Sequence, residues 1–261
     1  EISVLFNDGT TTPAKLVWND STLDLAIIKV EKDNLPVMEL ADSDEVGGGD
    51  RVVAIGNPLG FELQSTVTSG IISGLNRTVS FQTGAQMDGL MQTDAAINPG
   101  NSGGALIDVA GNLIGVNTAI FSQSGGSLGI GFAIPAKVCQ QVLNSILKDG
   151  RVVRGWLGIS LMPIQQENIM QPKQAGVVVA DVLKNGPAAQ AGLMKGDKII
   201  QVNDEKITSA SHLINYVALQ APNSTIQIQV QRGDQALTLN VVVGERKVQN
   251  SDSQYIPLPK R

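Results

Sequence analysis

The sequence has little of several residue types on which common protein functions depend. Of 261 residues, one is cysteine, one is histidine and only 3% are aromatic. A lone cysteine, Cys139, excludes an internal disulfide, and it is predicted to be a small buried residue, with a reactive thiol as the alternative. One histidine, His212, and one cysteine cannot make a credible zinc or other first-row metal site. No phosphate-binding loop precedes a helix, so we expect neither metal nor cofactor.

Excess positive charge and long apolar runs are missing too. The formal net charge is -5, which argues against nucleic acid as a partner, because no basic stripe is available to neutralise phosphates. No apolar run reaches transmembrane length, and no signal-peptide pattern opens the sequence. Glu1 is followed at once by the alternating segment ISVLF, so the sequence begins inside a predicted strand.

Residues 1–134 consist of short apolar runs separated by glycine- and asparagine-rich turns, among them AKLVW, LAIIKV, RVVAIG and LIGVNTAIF. Such a pattern predicts an all-β barrel or sandwich. After Pro135 the apolar spacing becomes helical, and Gly150 lies at the expected end of that helix. We expect the helix to close a first domain.

Residues 151–246 are predicted to form a second unit of strands and two helices. RGWLGISL and AGVVVADVL are typical strands, a short helix enters through Pro187, and residues 209–219 have helical spacing. Residues 247–261 are polar and contain proline, so they are expected to form a flexible tail.

The segment NPGNSGGAL carries the strongest indication of chemistry. Ser102 stands in a glycine-rich frame, and a serine hydroxyl becomes a nucleophile when a base takes its proton and donors hold the oxyanion. Gly100 permits unusual backbone angles. The N–H groups of Gly100 and Ser102, with Asn101 between them, are candidates for an oxyanion hole. A glycine-rich turn without chemistry is the alternative.

The wider passage QTDAAINPGNSGGAL, followed by GVNTAIF and GIGFAIP, resembles the catalytic region of the HtrA (Do-like) family of serine proteases. The resemblance covers almost the whole chain. It implies a mainly β protein, with a chymotrypsin-like double β-barrel protease domain over residues 1–150 and one PDZ domain over residues 151–246. It also implies that Ser102 is the nucleophile of an ATP-independent serine endopeptidase.

The same resemblance makes Asp24, in STLDLAIIKV, the aspartate of the catalytic triad. A carboxylate entering a buried strand needs a partner, and orienting an imidazole would supply one. A turn aspartate is the alternative. The family's histidine is not in this sequence; by the resemblance it falls just upstream of Glu1, and His212 in the second unit does not replace it. We therefore expect the 261 residues alone to be proteolytically inactive. Without its first strands, the N-terminal barrel is expected to have an open edge.

Specificity and regulation also follow from the resemblance. By the resemblance, the pocket for the residue before the cleaved bond is lined by Ile97, Phe121 and Ile130. An apolar pocket of this kind favours small aliphatic side chains such as valine. Arg77, in LNRTVSFQTGAQMDG, corresponds to the regulatory arginine of the family's sensor loop. A solvated surface arginine is the alternative.

A PDZ groove binds a C-terminal peptide as an added strand and captures its carboxylate with backbone N–H groups. The resemblance assigns carboxylate binding to Trp156, Leu157, Gly158 and Ile159. Leu213 and Val217, one helical turn apart, would face the groove, with ordinary core packing as the alternative. His212 and Tyr216 are expected at the rim.

A single PDZ domain with a short tail is similar to the DegS type of this family, and the two-PDZ DegP and DegQ types are the competitors. The DegS type implies a periplasmic homotrimer with an N-terminal membrane anchor, acting in the envelope stress response and activated by C-terminal peptides of misfolded outer-membrane proteins. The DegP and DegQ types imply soluble quality control of unfolded proteins. A non-catalytic peptide-binding protein or holdase is the alternative from another functional class.

Overall fold

The computed structural model describes residues 1–21, 23–58, 60, 63–80, 86–120, 122, 126–162 and 176–246. These residues form two compact units, Glu1–Arg151 and a second that begins at Val152. Strands dominate both units, which confirms the mainly β fold class. No helix in these ranges is long and apolar enough to cross a membrane. The predicted tail, 247–261, lies outside them.

The first unit contains an open sheet and a closed barrel. Its elements are β1 (Ile2–Leu5), β2 (Thr11–Asp20), β3 (Leu25–Val30), β4 (Arg51–Gly56), β5 (Thr66–Ser80), β6 (Gln86–Thr93), β7 (Ala105–Ile107), β8 (Leu113–Ile120), β9 (Gly131–Pro135) and α1 (Ala136–Asp149). Strands β1, β2 and β3 form a three-stranded antiparallel sheet. The barrel closes in the order β4-β5-β6-β9-β8-β7. A closed barrel has no free edge, whereas β1 and β3 are edge strands of the sheet among the described residues.

The barrel has a continuous apolar interior, and the sheet does not. Fully buried side chains fill the barrel, and they are Val52, Ala54, Ile72, Met91, Ala95, Ile97, Leu106, Ile114 and Ala133. In the sheet Val17 is buried, but Ile2, Leu5 and Ile28 are 39%, 48% and 45% exposed. The sheet therefore exposes apolar side chains that the barrel would bury.

Helix α1 closes the first unit where the apolar spacing predicts. Pro135 precedes its first residue, and Gly150 ends it with φ of 68°, its N–H donating to the Ile146 carbonyl. Cys139 is half-buried on this helix, and burial raises the pKa of its thiol to about 11. So high a pKa keeps the thiol protonated near neutral pH, as the prediction of an unreactive cysteine requires.

The second unit is built around a six-stranded sheet with two helices. Its elements are β10 (Gly155–Trp156), β11 (Ile159–Leu161), β12 (Val177–Val182), α2 (Pro187–Gln190), β13 (Lys198–Val202), β14 (Glu205–Lys206), α3 (Ala210–Ala218), β15 (Thr225–Arg232), β16 (Gln235–Val242) and β17 (Gly244–Glu245). The strand order is β11-β12-β13-β15-β16, with β14 paired to β13. Among the described residues, strand β11 is thus an edge of this sheet. Both helices predicted from the sequence are present.

Candidate active site

Ser102 lies in the loop between β6 and β7, and this loop packs tightly on the end of β4. Gly100 has φ of 103°, in the left-handed region that favours glycine. A Cβ atom there would lie 2.3 Å from the Asn57 carbonyl oxygen, and one at Gly104 would lie 2.1 Å from that of Ile55. Both glycines are therefore required by close backbone approach.

The three residues predicted to form the oxyanion hole differ in how their N–H groups are used. The Asn101 N–H donates to the Asn98 carbonyl at 2.9 Å, so the expectation that Asn101 contributes a donor does not fit this structure. The N–H groups of Gly100 and Ser102 donate to no backbone or side-chain acceptor among the described residues. Ser102 itself is exposed.

One residue contacts both predicted catalytic side chains. Thr118, on β8, is only 8% exposed. Its hydroxyl donates to the Asp24 carboxylate at 2.5 Å, and its carbonyl accepts a hydrogen bond from the Ser102 hydroxyl at 2.9 Å. Asp24 and Ser102, which come from the sheet and the barrel loop, are therefore joined through Thr118. Sequence reasoning missed this residue, although it stands in the quoted segment GVNTAIF.

Asp24 differs from its predicted surroundings. The sequence argument placed it at the entrance to a buried strand, but its side chain is exposed and its φ is 52°. β3, which follows it, belongs to the open sheet, and its first residue, Leu25, is only partly buried against the barrel strands. Aspartate tolerates the left-handed region better than most residues. The Thr118 hydroxyl is its hydrogen-bond partner in this structure.

Two of the three predicted pocket residues come close together. Ile97 is buried in the barrel interior, whereas Ile130 is half-buried against the second cluster, which contains Val79, Leu90, Phe132 and Ile134. A Cβ atom at Gly131 would lie 2.6 Å from Ile97 Cγ1, so the backbone beside Ile130 packs directly on Ile97. Phe121 lies outside the described residues.

Arg77 lies on β5, in the part of the predicted sensor loop that the structure describes; residues 81–85 are outside it. The side chain is exposed and its guanidinium lies over Gly74, where a Cβ atom would be 2.5 Å from Nε. The geometry fits a surface arginine as well as a regulatory one, so its role stays a prediction.

In the second unit, the predicted carboxylate-binding segment precedes the edge strand β11. Gly158 has φ of 75°, and the ring of Trp156 packs over it. The Leu157 carbonyl accepts from the Ala188 N–H at 2.9 Å, and the Gly158 carbonyl accepts from Leu183 N–H at 2.8 Å. The loop is thus anchored through its carbonyls, and β11 presents an edge to which an extended peptide could add.

The predicted groove wall on α3 is corrected by the structure. Leu213 and Val217 are 1% and 5% exposed and belong to the core of the second unit, whereas Ile214 is 50% exposed. The side chains of Leu213 and Val217 therefore face the core, and that of Ile214 faces solvent. Core packing, the alternative for this pair, is what the structure shows.

His212 is not at an exposed rim either. It is 8% exposed, with Nε2 at 3.3 Å from Glu205 Oε1 and Nδ1 at 3.2 Å from the Thr208 hydroxyl. Tyr216 is partly buried against the core, and its hydroxyl accepts from Asn203 Nδ2 at 3.2 Å. Within the described ranges, no group of three or more His, Cys, Asp and Glu side chains is placed to hold a metal.

Comparison with known proteins agrees with this geometry. Residues 1–116 match the trypsin-like peptidase domain family, and residues 155–243 match the PDZ domain family. A protein of Halomonas elongata named a probable periplasmic serine endoprotease, DegP-like, is 40% identical over 248 residues, which are 94% of this chain and 51% of the relative. A Chlamydia pneumoniae protein of the same name is 42% identical over 94% of this chain and 50% of its own. The chain spans about half the length of these curated relatives.

Solved structures extend the comparison. The HtrA-type protease AlgW with a bound tripeptide is 46% identical, with a TM-score of 0.70 over 94% of this chain and 81% of its own. The serine endoprotease from Yersinia pestis is 37% identical, with a TM-score of 0.58 over 94% of this chain and 80% of its own. Identity and coverage at this level are shared by members of one family. The chain belongs to the HtrA family of serine proteases.

Proposed function

We propose that the protein is a periplasmic serine endopeptidase in which Ser102 is the nucleophile and Asp24 the triad aspartate. The observation that carries the proposal is the connection through Thr118, which brings the exposed serine hydroxyl and the carboxylate to one side chain. Among the described residues, the N–H groups of Gly100 and Ser102 donate to no acceptor, which leaves them available for an oxyanion. A peptide-binding protein without chemistry has no physical need for this arrangement, which favours the enzyme over the holdase.

The catalytic base is proposed to be a histidine on a segment that precedes Glu1, because His212 is engaged with Glu205 and Thr208 in the second unit. The Asp24 carboxylate would orient that imidazole, which would take the proton of Ser102 during attack on the peptide carbonyl. A polypeptide of residues 1–261 alone is then expected to be inactive. Labelling of such a polypeptide at Ser102 by a fluorophosphonate would contradict this part of the proposal.

Substrate preference and control belong to the same proposal. By the family resemblance, Ile97, Phe121 and Ile130 would line a pocket that favours cleavage after small aliphatic residues such as valine, in unfolded or regulatory proteins. Residues 1–150 would form the protease domain and 151–246 a PDZ domain whose β11 edge and 156–159 loop bind C-terminal peptides. The AlgW relatives with bound peptides support peptide binding in this family.

Assembly and cellular role are extended from the family resemblance. We propose a homotrimer in the periplasm, with a DegS-like role in the envelope stress response, an N-terminal anchor, and activation by C-termini of outer-membrane proteins filling the PDZ groove. Arg77 would connect groove occupancy to the oxyanion loop. DegP- or DegQ-like quality control is the competing role.

The test is cleavage by the full-length protein of an unfolded protein and of peptides that differ only in the residue before the cleaved bond. We expect cleavage after valine, faster when a peptide with an apolar C-terminus is added, and none from the Ser102→Ala variant. Peptide binding without cleavage in the unsubstituted protein would instead support the holdase.

A further inference from the structure

The segment that leads into the oxyanion loop is fixed along β5. The Asp94 carboxylate accepts from the Ile71 N–H at 2.6 Å, and the Thr68 hydroxyl donates to the Ala96 carbonyl at 3.0 Å. A Cβ atom at Gly70 would lie 2.3 Å from the Ala95 nitrogen, so the two segments are in close backbone contact. The hydrogen bond from Thr68 holds Ala96, which directly precedes the predicted pocket residue Ile97 in the sequence.

The Ala96 carbonyl accepts a second hydrogen bond from inside the loop. Asn101, which is 1% exposed, donates its Nδ2 to the same oxygen at 3.4 Å. Its backbone is also fixed on both sides, because its N–H donates to Asn98 and its carbonyl accepts from Gly104, each at 2.9 Å. A carbonyl oxygen has two lone pairs, so Thr68 and Asn101 together use the full capacity of Ala96.

A further contact explains why the Asn101 side chain stays in place. A Cβ atom at Gly56, the last residue of β4, would lie 2.6 Å from Asn101 Oδ1 and 2.8 Å from its Cα. The amide is therefore confined between the end of β4 and the Ala96 carbonyl. Because Ser102 is the next residue, the fixed Asn101 side chain also restricts the position of Ser102.

We propose that Thr68 and Asn101 are positioning residues which, through the shared Ala96 carbonyl, hold the specificity pocket and the oxyanion loop in register. The proposal rests on the proposed function. Neither side chain is proposed to contact the reacting atoms. Thr68 lies on strand β5 of the barrel, and Asn101 belongs to the loop but its side chain is buried. Loss of the Thr68 hydrogen bond frees the segment before Ile97 and, through it, the oxyanion loop. The N–H groups of Gly100 and Ser102 would then stabilise the oxyanion of the transition state less well, while substrate binding would change little.

The test uses three variants of the full-length protein. Thr68→Val keeps the β-branched shape and removes the donor, while Thr68→Ser restores a hydroxyl. Thr66→Val is the matched control, because Thr66 lies on the same strand and its hydroxyl also donates to a backbone carbonyl, that of Leu63, at 2.6 Å. The kcat and KM for a peptide substrate, the rate of fluorophosphonate labelling of Ser102, and Tm are measured for each.

We expect Thr68→Val to lower kcat and the labelling rate together by about three- to tenfold, the size of one hydrogen bond, with KM little changed. Thr68→Ser should recover most of the loss, and Thr66→Val should retain wild-type kcat. An unchanged kcat in Thr68→Val, with or without a shift in Tm, would overturn the positioning role, and so would an equal loss in Thr66→Val. Absence of turnover and labelling in the unsubstituted protein would overturn the proposed function itself.

Discussion

The closed barrel β4–β9 and the open sheet β1–β3 each contribute one of the predicted catalytic side chains, but they are built differently. The barrel has a filled interior and no free edge, and it carries Ser102 on a loop fixed by close backbone contacts. The sheet leaves Ile2, Leu5 and Ile28 exposed and carries Asp24 at its end. The position of Ser102 is thus fixed by contacts within the barrel, whereas that of Asp24 depends on a hydrogen bond from the sheet to Thr118 in the barrel.

The largest expected difference between the two parts is chemical. Ser102→Ala removes the nucleophile and should lower kcat by about 10⁶, whereas Asp24→Asn should cost about 10⁴, as for triad residues in other serine proteases. Single-turnover peptide cleavage by the full-length protein measures both. Equal losses for the two variants would show that the aspartate contributes as much as the nucleophile, contrary to this account.

The next largest difference is expected in stability, between substitutions in the barrel and substitutions in the open sheet. Ile72→Ala leaves a cavity in the barrel, where the side chain is 1% exposed, and should lower the free energy of unfolding by about 2–5 kcal/mol. Ile28→Ala in the sheet removes a side chain that is 45% exposed, so about 0.5 kcal/mol or less is expected. Urea denaturation of both variants gives the comparison. The comparison is made on the polypeptide of residues 1–261, and a cost for Ile28→Ala as large as that for Ile72→Ala would contradict the exposure of the sheet.

The contact between the two parts is tested by Thr118→Val, which removes the hydroxyl and keeps the shape. A hydrogen bond to a carboxylate is worth about 1.5–3 kcal/mol, so kcat should fall about ten- to a hundredfold. Thr118→Ser should restore most of the activity, and KM should change little. A Thr118→Val enzyme with wild-type kcat would remove the role assigned to this contact.

The smallest expected effects compare two carboxylates. In the barrel, burial alone would raise the pKa of Asp108, but hydrogen bonds from Asn112 and from the N–H groups of Ala110 and Gly111 outweigh it and lower the pKa. In the sheet, the hydrogen bond from Lys32 lowers the pKa of Asp8, with Thr10 adding to the effect. Both shifts stabilise the folded state above the usual carboxyl pKa, and this contribution disappears as the pH falls through the lowered values.

We therefore expect Asp108→Ala to destabilise the barrel by about 1 kcal/mol at pH 7, and by less in strong acid. Asp8→Ala should change stability too little to measure, because Asp8 and Lys32 form an exposed ion pair. Urea titrations at pH 7 and at pH 2 provide the check. If Asp8→Ala lowered the free energy of unfolding as much as Asp108→Ala, an exposed ion pair would stabilise the fold as much as a carboxylate that accepts several hydrogen bonds within a turn, contrary to our expectation.

Local patterns predicted most of the fold because they depend on residues that are close in sequence. The spacing from Val138 to Leu147 located α1, and Pro135 and Gly150 marked its ends. The glycine before Ser102 indicated unusual backbone angles, and Gly100 confirms it with φ of 103°. Each of these features involves a few neighbouring residues, which one sequence contains in full.

What sequence reasoning missed depends on contacts between distant segments. Thr118 joins Asp24 to Ser102 only once β8 and the sheet are placed side by side. Leu213 and Val217 share a helical face, but periodicity alone does not say whether that face meets a core or a groove. The apolar segment LAIIKV predicts a buried strand after Asp24, yet only packing decides which strands are covered.

The measurement that tests the central claim most directly is the location of a fluorophosphonate adduct on the full-length protein by peptide mass spectrometry. The account predicts one modified residue, Ser102, with labelling that is lost in Ser102→Ala and slowed in Thr118→Val and Asp24→Asn. A native protein that stays unlabelled, or an adduct at another residue, would contradict the assignment of Ser102 as the nucleophile.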